Sequence, residues 1–289
     1  MEKKKKSFQL PNWIRFTVST LERLNTRWAF VLARHFFFRP IRFPRPSYEE
    51  NVFNSSEKSK VIDIQGRAIQ LFSWGRGPTV ILSHGWSGRG TQMGKIAIAL
   101  ANSGFRAVAY DAPAHGLSAG SKSNLQEIVE TIELLSKEFP DVHAYVGHSL
   151  GGLASLHAAT RIPQVKRVVM IGSPNRITEI IENFCRMIRA SYKVGDLLNE
   201  TIEKQFGLPS DHYSSAHVLE SLPNLLGLIV HDEEDYDVTI ENAREIERAW
   251  RGRAQLVETK GLGHRRILSD EKVIHRVVNF VKAQNTNNL

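Results

Sequence analysis

A hydroxyl, an imidazole and a carboxylate lie far apart in this chain, each in a local setting that chemistry can use. The sharpest setting is Gly147-His148-Ser149-Leu150-Gly151, followed by Gly152. It comes directly after the apolar run ending at Val146 and opens a helical pattern carrying Leu153, Leu156 and Ala159. A G-x-S-x-G pentapeptide between a strand and a helix is the setting of a nucleophile elbow, a tight turn that holds its serine in a strained conformation. Glycines on either side let neighbouring backbone pass where a Cβ would collide. The helix that follows points its amide dipoles towards developing negative charge. A serine hydroxyl is a poor nucleophile at neutral pH and needs a base to take its proton. Gly261-Leu262-Gly263-His264-Arg265-Arg266 offers one, in a glycine-rich loop before the last helical pattern. The chain has 11 histidines, and this loop position and Gly-x-Gly-His spacing single out His264. The base needs a carboxylate to hold its tautomer. Residues 232–237 carry five acidic side chains in six positions, with Asp232, Asp235 and Asp237 as contenders.

Groups so distant in sequence meet only if a fold delivers them. Val80-Ile81-Leu82, Ala107 to Tyr110, His143 to Val146, Val168 to Ile171 and Leu226 to Val230 are short, near-continuous apolar runs. Such runs suit strands buried on both faces of a parallel sheet. Helical patterns fall between them, at about 89–103, 122–138, 149–161 and 239–250, with another at 269–283. Strands alternating with helices imply right-handed crossovers and helices on both faces of the sheet. Segments 60–65 and 68–74, split by Gly66, read as an antiparallel hairpin at the sheet edge. Reactive groups in such sheets collect at the carboxyl ends of the strands. The motifs above sit just after the apolar runs, where that rule puts them.

These motifs resemble the α/β-hydrolase superfamily, in particular its serine esterases and lipases, over residues 60–284. His84-Gly85-Trp86-Ser87-Gly88 is similar to the family's His-Gly-x loop. The resemblance implies an oxyanion hole built from the backbone N–H groups of Trp86 and Leu150. Asp111-Ala112-Pro113-Ala114-His115-Gly116-Leu117-Ser118 looks like the family's D-x-P-G-H-G-x-S segment, with Ala114 where glycine is usual. That match makes Asp111 and His115 loop-shaping residues. His231-Asp232-Glu233-Glu234-Asp235-Tyr236-Asp237-Val238 resembles H-G-x-x-D-x-x-V, with Asp232 in the glycine place and Asp235 in the acid place. Some relatives place the acid after the preceding strand; here that stretch reads Ser173-Pro174-Asn175, without a carboxylate. The order Ser149, Asp235, His264 is the family's order. The resemblance implies hydrolysis of a small-molecule acyl ester through an acyl-serine intermediate, with no metal or organic cofactor. Thioester hydrolysis, acyl transfer, and a catalytically silent fold used for binding are the alternatives.

The 289 residues suit one α/β-hydrolase domain, at 59–289, preceded by a basic amphipathic arm at 1–58. A single cysteine, Cys185, rules out an internal disulfide. The net charge is +8, part of it in the run Lys3 to Lys6, and no nucleic-acid-binding motif accompanies it. No apolar stretch is long enough to span a bilayer, and polar residues interrupt any signal-like segment, so the cytoplasm is the expected location. Residues 174–222 form a helical insert where the family carries a lid. Ile177, Ile180, Ile181, Phe184 and Ile188 share a helical face there, to pack inward or to line an acyl pocket. In the arm, Ile14, Val18, Leu21, Trp28 and Leu32 read as one helical face, opposite Arg15, Arg23, Arg27 and Arg34. That face either packs on the protein or, with Phe36, Phe37 and Phe38, carries residues 1–40 onto the inner membrane surface.

Overall fold

The computed structural model describes residues 12–63 and 65–283. Its strands are β1 (Glu57–Ile62), β2 (Ala68–Trp74), β3 (Thr79–Ser83), β4 (Arg106–Tyr110), β5 (Val142–His148), β6 (Arg167–Ile171), β7 (Leu226–Asp232) and β8 (Ala254–Thr259). Its α-helices are α1 (Asn12–Leu24), α2 (Thr26–Phe37), α3 (Glu50–Ser55), α4 (Gly94–Ala101), α5 (Leu125–Glu138) and α6 (Leu150–Arg161). They continue with α7 (Ile177–Ile188), α8 (Tyr192–Phe206), α9 (Ser215–Glu220), α10 (Ile240–Trp250), α11 (Gly263–Arg266) and α12 (Glu271–Lys282). The elements fall into two compact units: residues 40–175 with 215–289, and residues 1–39 with 176–214.

The first unit is an eight-stranded sheet in the order β1-β2-β4-β3-β5-β6-β7-β8. The β1–β2 and β2–β4 pairs are antiparallel and all others are parallel. The expected edge hairpin is present. Its turn uses Gly66 at φ 75°, and Asp63 Oδ1 accepts from the amides of Gln65 and Arg67. Strands β3, β4 and β6 are buried almost throughout, as unbroken apolar runs require when helices cover both faces. One apolar layer holds Tyr110, Ile132, Tyr145, Leu156 and Trp250; the other holds Phe72, Met93, Leu100, Val146 and Val277. Two helix starts carry side-chain caps: Asn124 accepts from Glu127 N–H, and Asp270 from Val273 N–H, each at 3.0 Å. Segment 40–56 bonds within this unit. The Arg42 guanidinium donates to the carbonyls of Ala114, Ser118 and Gly120, and buried Glu49 accepts from Thr91 Oγ1 and meets Arg89.

The second unit is helical: α1, α2, α7 and α8. The single face read across the arm does not exist, because Asn25 breaks the helix in two. Its backbone is extended (φ −162°, ψ 119°) and its side chain caps α2 by accepting from Arg27 N–H. The helical phase restarts there. Ile14 and Val18 of α1 and Ala29 and Ala33 of α2 point inward, whereas Trp28 lies outside. Phe37 stacks edge-on with Phe38 and with Phe184 of α7, both at 5.1 Å, so these phenylalanines serve internal packing. On α7, Ile177, Ile181, Cys185 and Ile188 are buried. Glu22 of α1 accepts from the Ser191 amide and hydroxyl. No described helix is long and apolar enough to cross a membrane.

Candidate active site

Ser149 lies at the turn from β5 into α6 with φ 53° and ψ −127°, a backbone conformation that a residue with a Cβ adopts only under strain. Its neighbours explain how the turn is tolerated. A Cβ on Gly147 would fall 2.3 Å from Gly151 O and 2.4 Å from Gly152 Cα, and one on Gly151 would fall 2.4 Å from Ser83 O. The glycines therefore let α6 start against the end of β3. The Ser149 N–H is held by Ile171 O at 2.8 Å, which ties the turn to β6.

The imidazole arrives from α11, a single helical turn. His264 Nδ1 donates to Asp235 Oδ2 at 2.6 Å, and both groups are largely buried. Asp235 Oδ1 is bound separately, by the amides of Asp237 and Val238, each at 2.9 Å. The two carboxylate oxygens thus have different tasks, one fixed by backbone and one facing the ring. With its proton on Nδ1, His264 keeps a lone pair on Nε2, the form a general base needs. Gly172, at φ 55° just after β6, lies beneath this pair: a Cβ there would be 3.3 Å from both Asp235 Oδ2 and His264 Nδ1. A further bond ties the histidine to the elbow. His148 Nε2 donates to His264 O at 2.8 Å, with the two rings 4.6 Å apart. Burial, aided by the neighbouring His264, holds His148 well below the usual imidazole range, so it stays neutral as this donor.

The other contenders for the acid have other partners. Asp232 Oδ2 accepts from Thr259 Oγ1 at 2.8 Å and from Leu262 N–H at 2.9 Å, and Oδ1 accepts from Glu234 N–H at 3.0 Å. Burial pushes this carboxyl upward, but the amides of Gly263 and Leu262, with Thr259 and Glu234, outweigh it and hold its pKa below the usual range. Asp232 therefore fastens the loop that carries His264. The Asp237 carboxylate lies 4.0 Å from the Arg265 guanidinium. His231 donates from Nε2 to Val238 O and lies 3.6 Å from Asp235 Oδ2, buttressing the acid loop.

The loop after β3 borders the elbow. A Cβ on Gly85 would sit 2.8 Å from Ser149 Cβ, so the Gly85–Trp86 peptide passes directly beside the serine. Gly88 N–H closes a turn onto Gly85 O at 2.9 Å, with Ser87 at φ 56°. The second candidate amide, Leu150, is first in α6 and so has no carbonyl one turn back to bond. His84 braces this loop: Nδ1 donates to Gly85 O and Nε2 accepts from Ala112 N–H. Burial lowers its pKa to about 4. Asp111 and His115 shape the neighbouring loop. Asp111 accepts from the amides of Gly90 and Leu117, both at 2.7 Å, and buried His115 donates to Pro113 O. The three positioning roles of His148, Asp232 and His231 were not read from sequence, although Asp232 stood out as a departure at a glycine position.

A doubly covered, mostly parallel sheet with a serine elbow and an Asp–His pair beyond its strand ends defines an α/β hydrolase. The family model for the alpha/beta hydrolase fold matches residues 78–254, and the chain belongs to that family. Among characterised proteins, it is 29% identical over 162 residues to the pimeloyl-acyl-carrier-protein methyl ester esterase of Stenotrophomonas maltophilia, covering 52% of this chain and 58% of that one. It is 34% identical over 102 residues to the same enzyme of Xanthomonas oryzae pv. oryzae, covering 35% and 39%. The chain thus spans roughly two-fifths to three-fifths of the length of these relatives. Among solved structures, it is similar to an esterase of Pyrococcus furiosus (TM-score 0.65, 17% identity, 85% of this chain and 97% of that one). It is also similar to a thioesterase domain from the curacin biosynthetic pathway (TM-score 0.59, 18% identity, 80% and 100%). At these identities the structural likenesses speak for the fold.

Proposed function

We propose that the protein is a serine hydrolase that cleaves a small carboxylic ester through an acyl-serine intermediate. The observation that carries this reading is the 2.6 Å contact from His264 Nδ1 to buried Asp235, beside a serine in a strained elbow. The methyl ester esterase relatives support the ester as the bond broken.

In this mechanism Ser149 Oγ attacks the ester carbonyl carbon while His264 Nε2 takes the hydroxyl proton. Asp235 stabilises the imidazolium that forms. Negative charge moves onto the carbonyl oxygen, where the amides of Trp86 and Leu150 receive it, each worth about 3–4 kcal/mol in the transition state. The tetrahedral intermediate collapses, the C–O bond to the alcohol breaks, and His264 returns the proton to the leaving oxygen. Water, deprotonated by the same Nε2, then releases the acid and restores Ser149.

A fluorophosphonate probe tests the nucleophile. Labelling of the wild type, lost in Ser149→Ala and in His264→Ala while both stay folded, is expected. Folded wild-type protein that resists the probe would support a binding role instead. Turnover of p-nitrophenyl esters over acyl thioesters is expected, and the reverse preference would move the activity to a thioesterase.

A further inference from the structure

Charge is unevenly spread along this chain. Residues 1–39 carry nine basic side chains and two acidic ones, so they hold seven of the eight net positive charges. The rest of the chain is close to balanced. Within the described part of that segment, Arg15, Arg23, Arg27, Arg34 and Arg39 face a single acid, Glu22. Glu22 is already engaged by Ser191. Arg23, Arg27 and Arg34 are exposed, and among the described residues no carboxylate pairs with them.

The same two helices expose more apolar surface than their packing uses. Ile14, Val18, Ala29 and Ala33 fill the inward side. Outside stand Trp13 (62% exposed), Phe16 (75%), Leu24 (70%), Trp28 (57%) and Val31 (57%). Trp13, Phe16 and Leu24 recur at helical spacing on one side of α1, and Trp28 and Val31 do so on α2. The Trp13 and Phe36 rings, 6.2 Å apart, join the two helices at one end of this face. Three of these five side chains are aromatic and two of those are tryptophan, the type enriched where hydrocarbon meets headgroups. Exposed clusters of this kind mark interaction sites, and a cationic border selects an anionic partner.

We propose that the outer face of α1 and α2 is a docking surface for an anionic phospholipid bilayer. Trp13, Phe16, Leu24, Trp28 and Val31 enter the boundary between headgroups and acyl chains. Arg23, Arg27 and Arg34 meet the lipid phosphates. The Lys3 to Lys6 run lies outside the described residues and adds to the same charge. This surface does not depend on the proposed esterase activity.

Vesicle flotation of the full chain tests it, with phosphatidylcholine alone and with phosphatidylcholine mixed with phosphatidylglycerol. Binding to the mixed vesicles should exceed binding to the neutral ones by at least about tenfold and weaken with salt, and tryptophan emission should shift to the blue. Arg23→Gln with Arg27→Gln should lower the affinity about twenty-five-fold, at roughly fivefold per cation. Trp13→Ser, Phe16→Ser and Trp28→Ser together should abolish flotation in a chain that stays folded by circular dichroism, with Tm falling by no more than loss of the Trp13–Phe36 contact explains. Hydrolysis of a water-soluble ester should not change in either variant. Equal binding to both vesicle types overturns the proposal. So does an aromatic variant that still floats, and a soluble RNA duplex that binds wild type and aromatic variant alike would then identify a general polyanion site.

Discussion

Replacing Asp235 by asparagine discriminates most sharply between the three clustered aspartates, and the structure says why it should be severe. Two backbone amides, from Asp237 and Val238, hold Asp235 Oδ1. In the variant those donors select the amide oxygen for that position. The side-chain NH2 is then forced into the Oδ2 position, against His264 Nδ1 2.6 Å away. An NH2 group can only donate there, so Nδ1 must give up its proton and Nε2 must carry it. The nitrogen intended as base becomes a donor. The geometry survives, but the ring is held in the wrong tautomer. A loss in kcat of about 10⁴ follows, equivalent to ~5.4 kcal/mol of transition-state stabilisation. KM and Tm should stay close to wild type, because the residue keeps its volume and its two amide bonds. Steady-state hydrolysis of a p-nitrophenyl ester, together with the rate of fluorophosphonate labelling, measures both. Asp237→Asn, whose carboxylate faces Arg265, should stay within about fivefold in kcat, because a largely exposed charge pair is worth at most about 1 kcal/mol. If Asp235→Asn retains more than about a tenth of the activity, or Asp237→Asn shows the larger loss, the tautomer argument is refuted.

Asp232→Asn should act through the loop instead: Thr259 and Leu262 select the amide oxygen for the Oδ2 place, so the NH2 is turned against the Glu234 amide, which loses its acceptor. A loss of about 2–3 kcal/mol in unfolding free energy, read by urea denaturation, should come with a smaller fall in kcat and little change in KM; full stability would contradict the role assigned to it. Ala114→Gly should stabilise the protein by at most about 1 kcal/mol, since about 1–2 kcal/mol of strain released at φ 66° is offset by about 0.4–1 kcal/mol of added unfolded-chain entropy, and a clearly lowered Tm would count against that strain. His84 and His115 are lowered by burial to about 4 and about 3, so the folded state binds fewer protons than the unfolded chain below pH 6.5. Their contribution is present above the unfolded value and fades as pH falls. Between pH 7.5 and 5.5 each should cost about 1.4 kcal/mol of stability, and urea midpoints that stay level over that interval would disprove it.

Much of this molecule could be read from sequence because its strands are buried on both faces. Unbroken apolar runs such as Val168 to Ile171 have no competing helical interpretation once turns bound them, and the structure places β6 at 167–171. The elbow was legible because Gly147 and Gly151 are dictated by local backbone crowding. The roles of Asp232 and His148 were not, since each depends on a bond to the loop around residues 259–264, brought near only by the finished sheet. The arm failed for a different reason. The apolar spacing reads as one helical face running through Asn25, but that side chain caps the next helix and resets its phase. The stripe Ile14, Val18, Leu21, Trp28 and Leu32 therefore mixes inward and outward positions.

Gly172 carries a consequence for how such a site can evolve. Its lack of a side chain leaves room for Asp235 and His264 above the end of β6. Any larger residue there would contest that room before it could contribute a function of its own. A substitution at 172 therefore disturbs the Asp235–His264 pair whatever the new side chain brings. The missing side chain at position 172 is as much a part of the pair's setting as the two amides that bind Asp235.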